Sequence, residues 1–165
     1  MTQQPQHELS VTRLIEAPPE TVWRVWTGRM GEWWTPRPWK TPVVENDFRA
    51  GGRSYQEMES PEGERFPNEG VWLEVVPNER IVVTNVFKSG WVPQNLSGEG
   101  CDFSMLAIFT FEPEGAGTRY TARARHWDDA TLKKHEEMGF HEGWGQATVQ
   151  LAELAEAEAR GRAAA

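Results

Sequence analysis

Two histidines are the side chains in this sequence best suited to acid–base or hydrogen-bonding chemistry. In the stretch Arg119-Tyr120-Thr121-Ala122-Arg123-Ala124-Arg125-His126-Trp127 the arginines and Thr121 share one strand face, which must meet solvent. Tyr120, Ala122, Ala124 and His126 therefore point inward. Two readings of His126 stand: a histidine hydrogen-bonded to a neighbour, or one that contacts a ligand or moves a proton. Further on, Met138, His141, Trp144, Gly145 and Thr148 fall on one side of a helical stretch, so His141 is expected to look into the same space. No nucleophile stands at a recognisable spacing beside either histidine. His135 and His141, six residues apart, lie on different helical faces and form no local metal pair, so no metal and no cofactor is expected. Cys101 sits near Glu99 and Asp102, whose charges disfavour a thiolate, which argues against a nucleophilic role.

The elements that must position these residues follow from spacing. Leu9 to Glu16 alternates as a strand, and Ala17-Pro18-Pro19-Glu20 stops it, with Pro19 suited to a first helical turn. Thr21 to Thr27 reads as a short helix and Met30 to Trp34 as one more turn. Strands are expected at Thr41 to Phe48, Gly52 to Ser60, Glu69 to Val76, Arg80 to Phe87, Phe103 to Glu112 and Thr118 to Trp127. Pro61-Glu62-Gly63, Pro77-Asn78 and Glu114-Gly115-Ala116-Gly117 are the hairpin turns between them, so the sheet is an antiparallel meander. From Asp129 to about Arg160 the chain is helical. Phe140, Trp144, Ala147, Leu151 and Leu154 recur at spacings of 4, 3, 4 and 3, which makes one apolar stripe. Gly139, Gly143 and Gly145 predict a break near Gly139 and close approach of sheet to helix at the other two, or else a kink that opens a cavity mouth.

Such a stripe is buried only against the concave face of a sheet. The fold class is therefore α+β: a curved antiparallel sheet of about six to seven strands wrapped around a long C-terminal helix, with two short helices after the first strand. One domain is expected over residues 9–158, between flexible tails at 1–8 and 159–165. Nine tryptophans must line a core, a cavity or an interface. Trp33, Trp34, Trp39, Trp72, Phe87, Trp91, Met105 and Phe140 are candidates for a cavity wall, together with Tyr120, Ala122, Ala124, His126, Met138, His141 and Trp144. Any one of the large rings taken alone reads as core. The segment from Lys88 to Asp102 is expected as a mobile loop at the entrance.

Four segments carry a family resemblance. They are Ala17-Pro18-Pro19-Glu20-Thr21-Val22-Trp23 with Trp33-Trp34; Arg49-Ala50-Gly51-Gly52-Arg53; Asn68-Glu69-Gly70 through Pro77-Asn78-Glu79-Arg80; and His135 through Trp144. In this order, over about Leu9 to Leu154, the chain resembles START-like (Bet v 1-like, SRPBCC) domains. The nearer likeness is to the bacterial branch related to the C-terminal domain of the activator of Hsp90 ATPase. The resemblance implies the helix-grip fold and raises an interaction with an Hsp90-type chaperone. One departure stands out: where relatives point bulky apolar residues inward after the Gly51-Gly52 pair, this chain has Ser54, Gln56 and Met58. Gln56 and Ser54 would need hydrogen-bond partners or a ligand oxygen.

Twenty-five acidic against seventeen basic residues, a net charge of −8, argue against a nucleic-acid footprint and an anionic membrane surface. No apolar run approaches the roughly 20 residues that span a bilayer, and Met1 to Ser10 lacks the pattern of a secretory signal. A single cysteine forms no internal disulfide, so a cytoplasmic location is expected. Binding of a small hydrophobic or aromatic ligand is the expected function. Acid–base catalysis by His126 and His141 and a chaperone interaction are the alternatives, and exposed tryptophans leave a homodimer open.

Overall fold

The computed structural model describes residues 7–99 and 102–164. Its elements run in the order β1 (Glu8–Ile15), α1 (Pro19–Gly28), α2 (Met30–Trp33), β2 (Lys40–Val44), β3 (Arg53–Glu59), β4 (Arg65–Val76), β5 (Arg80–Thr84), β6 (Phe87–Lys88), β7 (Val92–Pro93), β8 (Leu106–Glu114), β9 (Gly117–Arg125), α3 (Asp129–Glu137) and α4 (Phe140–Ala164). Seven strands form one sheet in the order β1-β9-β8-β5-β4-β3-β2, every neighbouring pair antiparallel. The sheet curls as a half-barrel around α4, which is the helix-grip arrangement. Among the described residues no helix is long and apolar enough to cross a membrane.

Local chemistry sets the boundaries. Pro19 occupies the first turn of α1, where its missing N–H removes no helical bond. Asp128 caps α3, its carboxylate accepting from the Thr131 backbone N–H at 2.7 Å. The turn at Gly115-Ala116 joins β8 to β9 with Glu114 opposite Gly117. The expected strand from Arg80 to Phe87 ends at Thr84, and Phe87–Lys88 pairs instead with Val92–Pro93 in a separate small ribbon.

Among the described residues, regular structure reaches into both expected tails. Glu8 already pairs with Arg125 in the β1–β9 ladder, and α4 continues to Ala164 rather than ending near residue 158. Residues 1–6, Ala165 and Cys101 lie outside the described residues.

The core centres on Trp26, fully buried, with Trp33, Trp34, Phe48, Trp72 and Phe109 all within 6.0 Å between ring centroids. From α4, Leu151, Ala152 and Ala155 pack into the same cluster. One buried polar side chain fixes the segment after α2 against α4. The Gln150 amide nitrogen donates to the carbonyls of Thr35 at 2.8 Å and Trp33 at 3.2 Å, while its oxygen accepts from the Arg37 N–H at 2.9 Å. Three backbone groups that no strand or helix serves are thereby paired.

Candidate functional site

Beneath α4, the concave face of the sheet leaves a pocket of about 290 Å³. Strand alternation supplies one wall: Ser54, Gln56 and Met58 from β3, Trp72 from β4, and Tyr120 and Ala122 from β9 all face inward. Trp33 and Trp34 close the α2 end, Phe103, Met105 and Phe109 line the β8 side, and Met138, Gly143, Trp144, Ala147 and Thr148 form the helical roof. Trp144 stacks on Phe109 at 5.9 Å with only 12° between the rings, and it touches Phe140 at 4.6 Å. Ten residues read from the sequence as cavity wall meet here: Trp33, Trp34, Gln56, Met58, Trp72, Met105, Tyr120, Ala122, Met138 and Trp144.

Seven others lie elsewhere. Trp39 packs on Phe66 at 5.6 Å, outside the wall. Phe87 and Trp91 pair with each other on the small ribbon, where Trp91 is 56% exposed. The space expected beside Ala124 is filled by Leu9 and Phe140, which form a second small core with it. His141 is exposed on α4 beside Glu136, at 3.6 Å. His126 is buried, but it reaches the pocket only through another residue.

That residue is His135. Its Nδ1 lies 2.8 Å from His126 Nε2, and it lines the pocket in a nest of rings formed by Phe103, Phe140 and Trp144. The His126 backbone N–H donates to the His7 carbonyl, which seals the pair from behind. Burial pushes His135 down to about 4, with the neighbouring His126 acting in the same direction. Burial also lowers His126, against the opposing influence of the His7 hydrogen bond and Asp128. Both rings are thus neutral at pH 7. Two neutral imidazoles joined by one hydrogen bond keep one N–H and one bare nitrogen for their outer positions. These are His126 Nδ1, buried without a partner, and His135 Nε2.

Sequence spacing weighs His135 only against His141 as a metal pair, because the angle between the helices on either side of the expected break is not set by spacing. Gly139, at φ +93°, separates α3 from α4 and resets the helical phase. The expected break is therefore present, but close sheet–helix approach at the other glycines is not: a Cβ on Gly143 or Gly145 would meet nothing within 4 Å. At Gly143, which lines the pocket, the missing side chain leaves room in the roof.

The remaining polar groups are largely paired. Gln56 Nε2 donates to Asn46 Oδ1 at 2.8 Å and to Ser54 Oγ at 3.2 Å, so the two unusual polar residues of β3 partly satisfy each other. Trp26 Nε1 donates to the Tyr120 hydroxyl at 3.1 Å. Trp72 Nε1 is buried with no partner. The loop after β5 is pinned in two places. Gln94 donates to the Glu69 and Asn85 carbonyls, and Lys134 of α3 to the Gly98 carbonyl. Among the described residues no three His, Cys, Asp or Glu side chains gather as a metal ion would require.

Comparison with known proteins places this geometry in context. The family model for activator of Hsp90 ATPase homolog 1-like protein matches residues 16–156. A solved structure from Nitrosomonas europaea (protein NE0264) is 37% identical, covering 94% of this chain and 98% of that one with a TM-score of 0.86. Another, from Chromobacterium violaceum (protein CV1439), is 27% identical over 91% of this chain and 97% of that one, with a TM-score of 0.73. The AHSA1 protein of Silicibacter pomeroyi shares the fold at 22% identity and a TM-score of 0.67, over 92% of this chain and 99% of that one. No curated protein matches the chain.

Proposed function

We propose, starting from the fact that the chain belongs to the family of activator of Hsp90 ATPase homolog 1-like proteins, that it binds a small hydrophobic or aromatic molecule between sheet and α4. The carrying observation is the pocket itself, about 290 Å³ with Trp33, Trp34, Trp72, Phe109 and Trp144 in its wall. That size is at the lower end of ligand pockets, roughly 300–1,000 Å³, and suits a guest of one or two rings. Folds of this family commonly bind hydrophobic ligands, which supports the same reading. Aromatic faces offer a planar guest stacking and edge contacts beyond simple burial.

A thermal-shift screen against one- and two-ring aromatic compounds tests it. A ligand that binds only the folded state raises the melting temperature by mass action. A saturable shift that disappears in Trp144→Ala supports the reading; no shift from any compound with a folded protein sinks it.

A second reading, acid–base chemistry in the same pocket, is favoured by His135 with His126 behind it at 2.8 Å. His135 takes the role that the sequence suggested for His141. A guest recovered with a proton exchanged for deuterium in wild type, but not in His135→Phe, would favour this reading over simple binding. The chaperone interaction rests on the family's name, and a pull-down with an Hsp90-type chaperone decides it.

A further inference from the structure

We infer that α3 is a gate over the pocket and that the His126–His135 contact is its latch, released by acid so that a guest can enter and leave. This goes beyond the proposed binding function and rests on it. The first support is how little else holds α3. Of its nine residues only His135 is buried, whereas the ten residues of α1 bury Thr21, Val22, Val25 and Trp26. Leu132 adds a half-buried contact to the small core around Leu9 and Phe140, and Lys134 donates to the Gly98 carbonyl at the exposed surface. A segment with so few buried contacts opens ahead of the rest of a fold. Gly139, at φ +93°, divides it from α4, and exposed bends at Trp127 and Asp128 precede it, so α3 swings without unwinding its neighbours. It carries His135, with Met138 next to it at the rim, 46% exposed. Both belong to the pocket wall, so opening α3 opens the pocket.

The second support is the chemistry of the latch. One hydrogen bond between two imidazoles needs a bare nitrogen facing an N–H. A first added proton leaves a charge buried among Phe103, Phe140 and Trp144, and a second sets N–H against N–H across 2.8 Å. The surroundings offer little relief. Asp128, just ahead of α3, favours a proton on His126, and His7, just ahead of β1, opposes it. On His135 the acting charge is that of His126, which opposes a proton. α4 and the chain before β8 present His135 with uncharged rings, and Glu136 turns instead to His141 at 3.6 Å. With α3 open, His135 meets water and takes up its proton near the ordinary 6.5; closed, it does so only near 4. The closed state is therefore fully favoured above 6.5 and loses ground as pH falls toward 4.

Hydrogen exchange tests the latch on wild type without any ligand. Protection of the α3 amides, referenced to unstructured peptide at each pH, should lie well below that of α4 around the buried Leu151. Between pH 7.5 and 5.0 it should fall roughly 25-fold, the factor by which proton uptake at His135 favours opening. Stopped-flow release of 2-acetylnaphthalene, which is uncharged at both pH values, tests the gate, and its rate should rise in step. In His126→Leu/His135→Leu, whose new side chains do not titrate, both pH responses should disappear. A melting curve reports whether that variant is folded, and the wild-type exchange decides the latch if it is not. Protection of α3 equal to that of α4, no change of it with pH, or the same change in the folded variant overturns the latch. A release rate that stays constant while α3 loosens overturns the gate alone. If the probe does not bind wild type at pH 7.5, the pocket reading falls and the gate with it, while exchange still decides the latch.

Discussion

His126 Nε2 and His135 Nδ1 lie 2.8 Å apart, and this contact joins the end of β9 to α3 inside a shell of aromatic rings. Because the pair is buried and neutral, it ties stability to pH in a definite direction. The unfolded chain takes up a proton at His135 near 6.5 and the native state only near 4. Between those values the unfolded state holds more protons, so stability falls as pH falls from 6.5 toward 4. The loss from His135 is at most about 3 kcal/mol, and His126, also lowered, acts in the same sense. Asp128 and His7 are the other titratable groups acting on His126. Urea unfolding at pH 7.5 and 4.5 should show this loss in wild type and a smaller one in His126→Leu/His135→Leu. Equal losses in both proteins would contradict the assignment.

Much of the frame was legible before any coordinates. Alternation along β9 placed Tyr120 and Ala122 inward, and the 4-3-4-3 stripe placed Trp144 and Ala147 over them, because both patterns are local. What escaped depended on contacts across the chain. Ala124 has the same parity as Ala122, yet Phe140 and Leu9 fill the space opposite it. The partner of His126 came from α3, whose angle to β9 and to α4 no spacing rule supplies. Phe87 ends an expected strand and Trp91 lies in the expected loop, but both fall on a small ribbon and its turn, which split off after β5.

Gln150 makes a separate prediction about the α2 end of the pocket. Gln150→Ala removes the partners of two carbonyls and one N–H near Trp33 and Thr35. A loss of about 2–4 kcal/mol is expected in denaturant unfolding, since each buried group left unpaired costs roughly 1–3 kcal/mol and water recovers part of it. Hydrogen exchange at the Arg37 amide should accelerate in the same variant. An unchanged rate there would show that the clamp is unimportant.

Gly139 is the hinge of helical phase. At φ +93°, alanine in its place is strained, and a cost of about 1–2 kcal/mol is expected. For a chain of this size that lowers the melting temperature by roughly 3–6 °C. Gly143 should behave oppositely. A Cβ there meets nothing within 4 Å, so Gly143→Ala should gain up to about 1 kcal/mol from helix propensity alone. Thermal melts of the two variants, side by side, check both signs.

Binding in the pocket is the central claim, and Gly143 gives the most direct way to test it. Gly143→Leu extends a side chain from the roof of a folded helix into the pocket without removing any contact. The measurement is a calorimetric titration of 2-acetylnaphthalene into wild type and Gly143→Leu, with both melting curves recorded. One-site saturable binding to wild type, lost in a variant that melts no lower, is the predicted result. Binding of equal strength in the plugged variant, or none to wild type up to the solubility of the probe, would contradict the account.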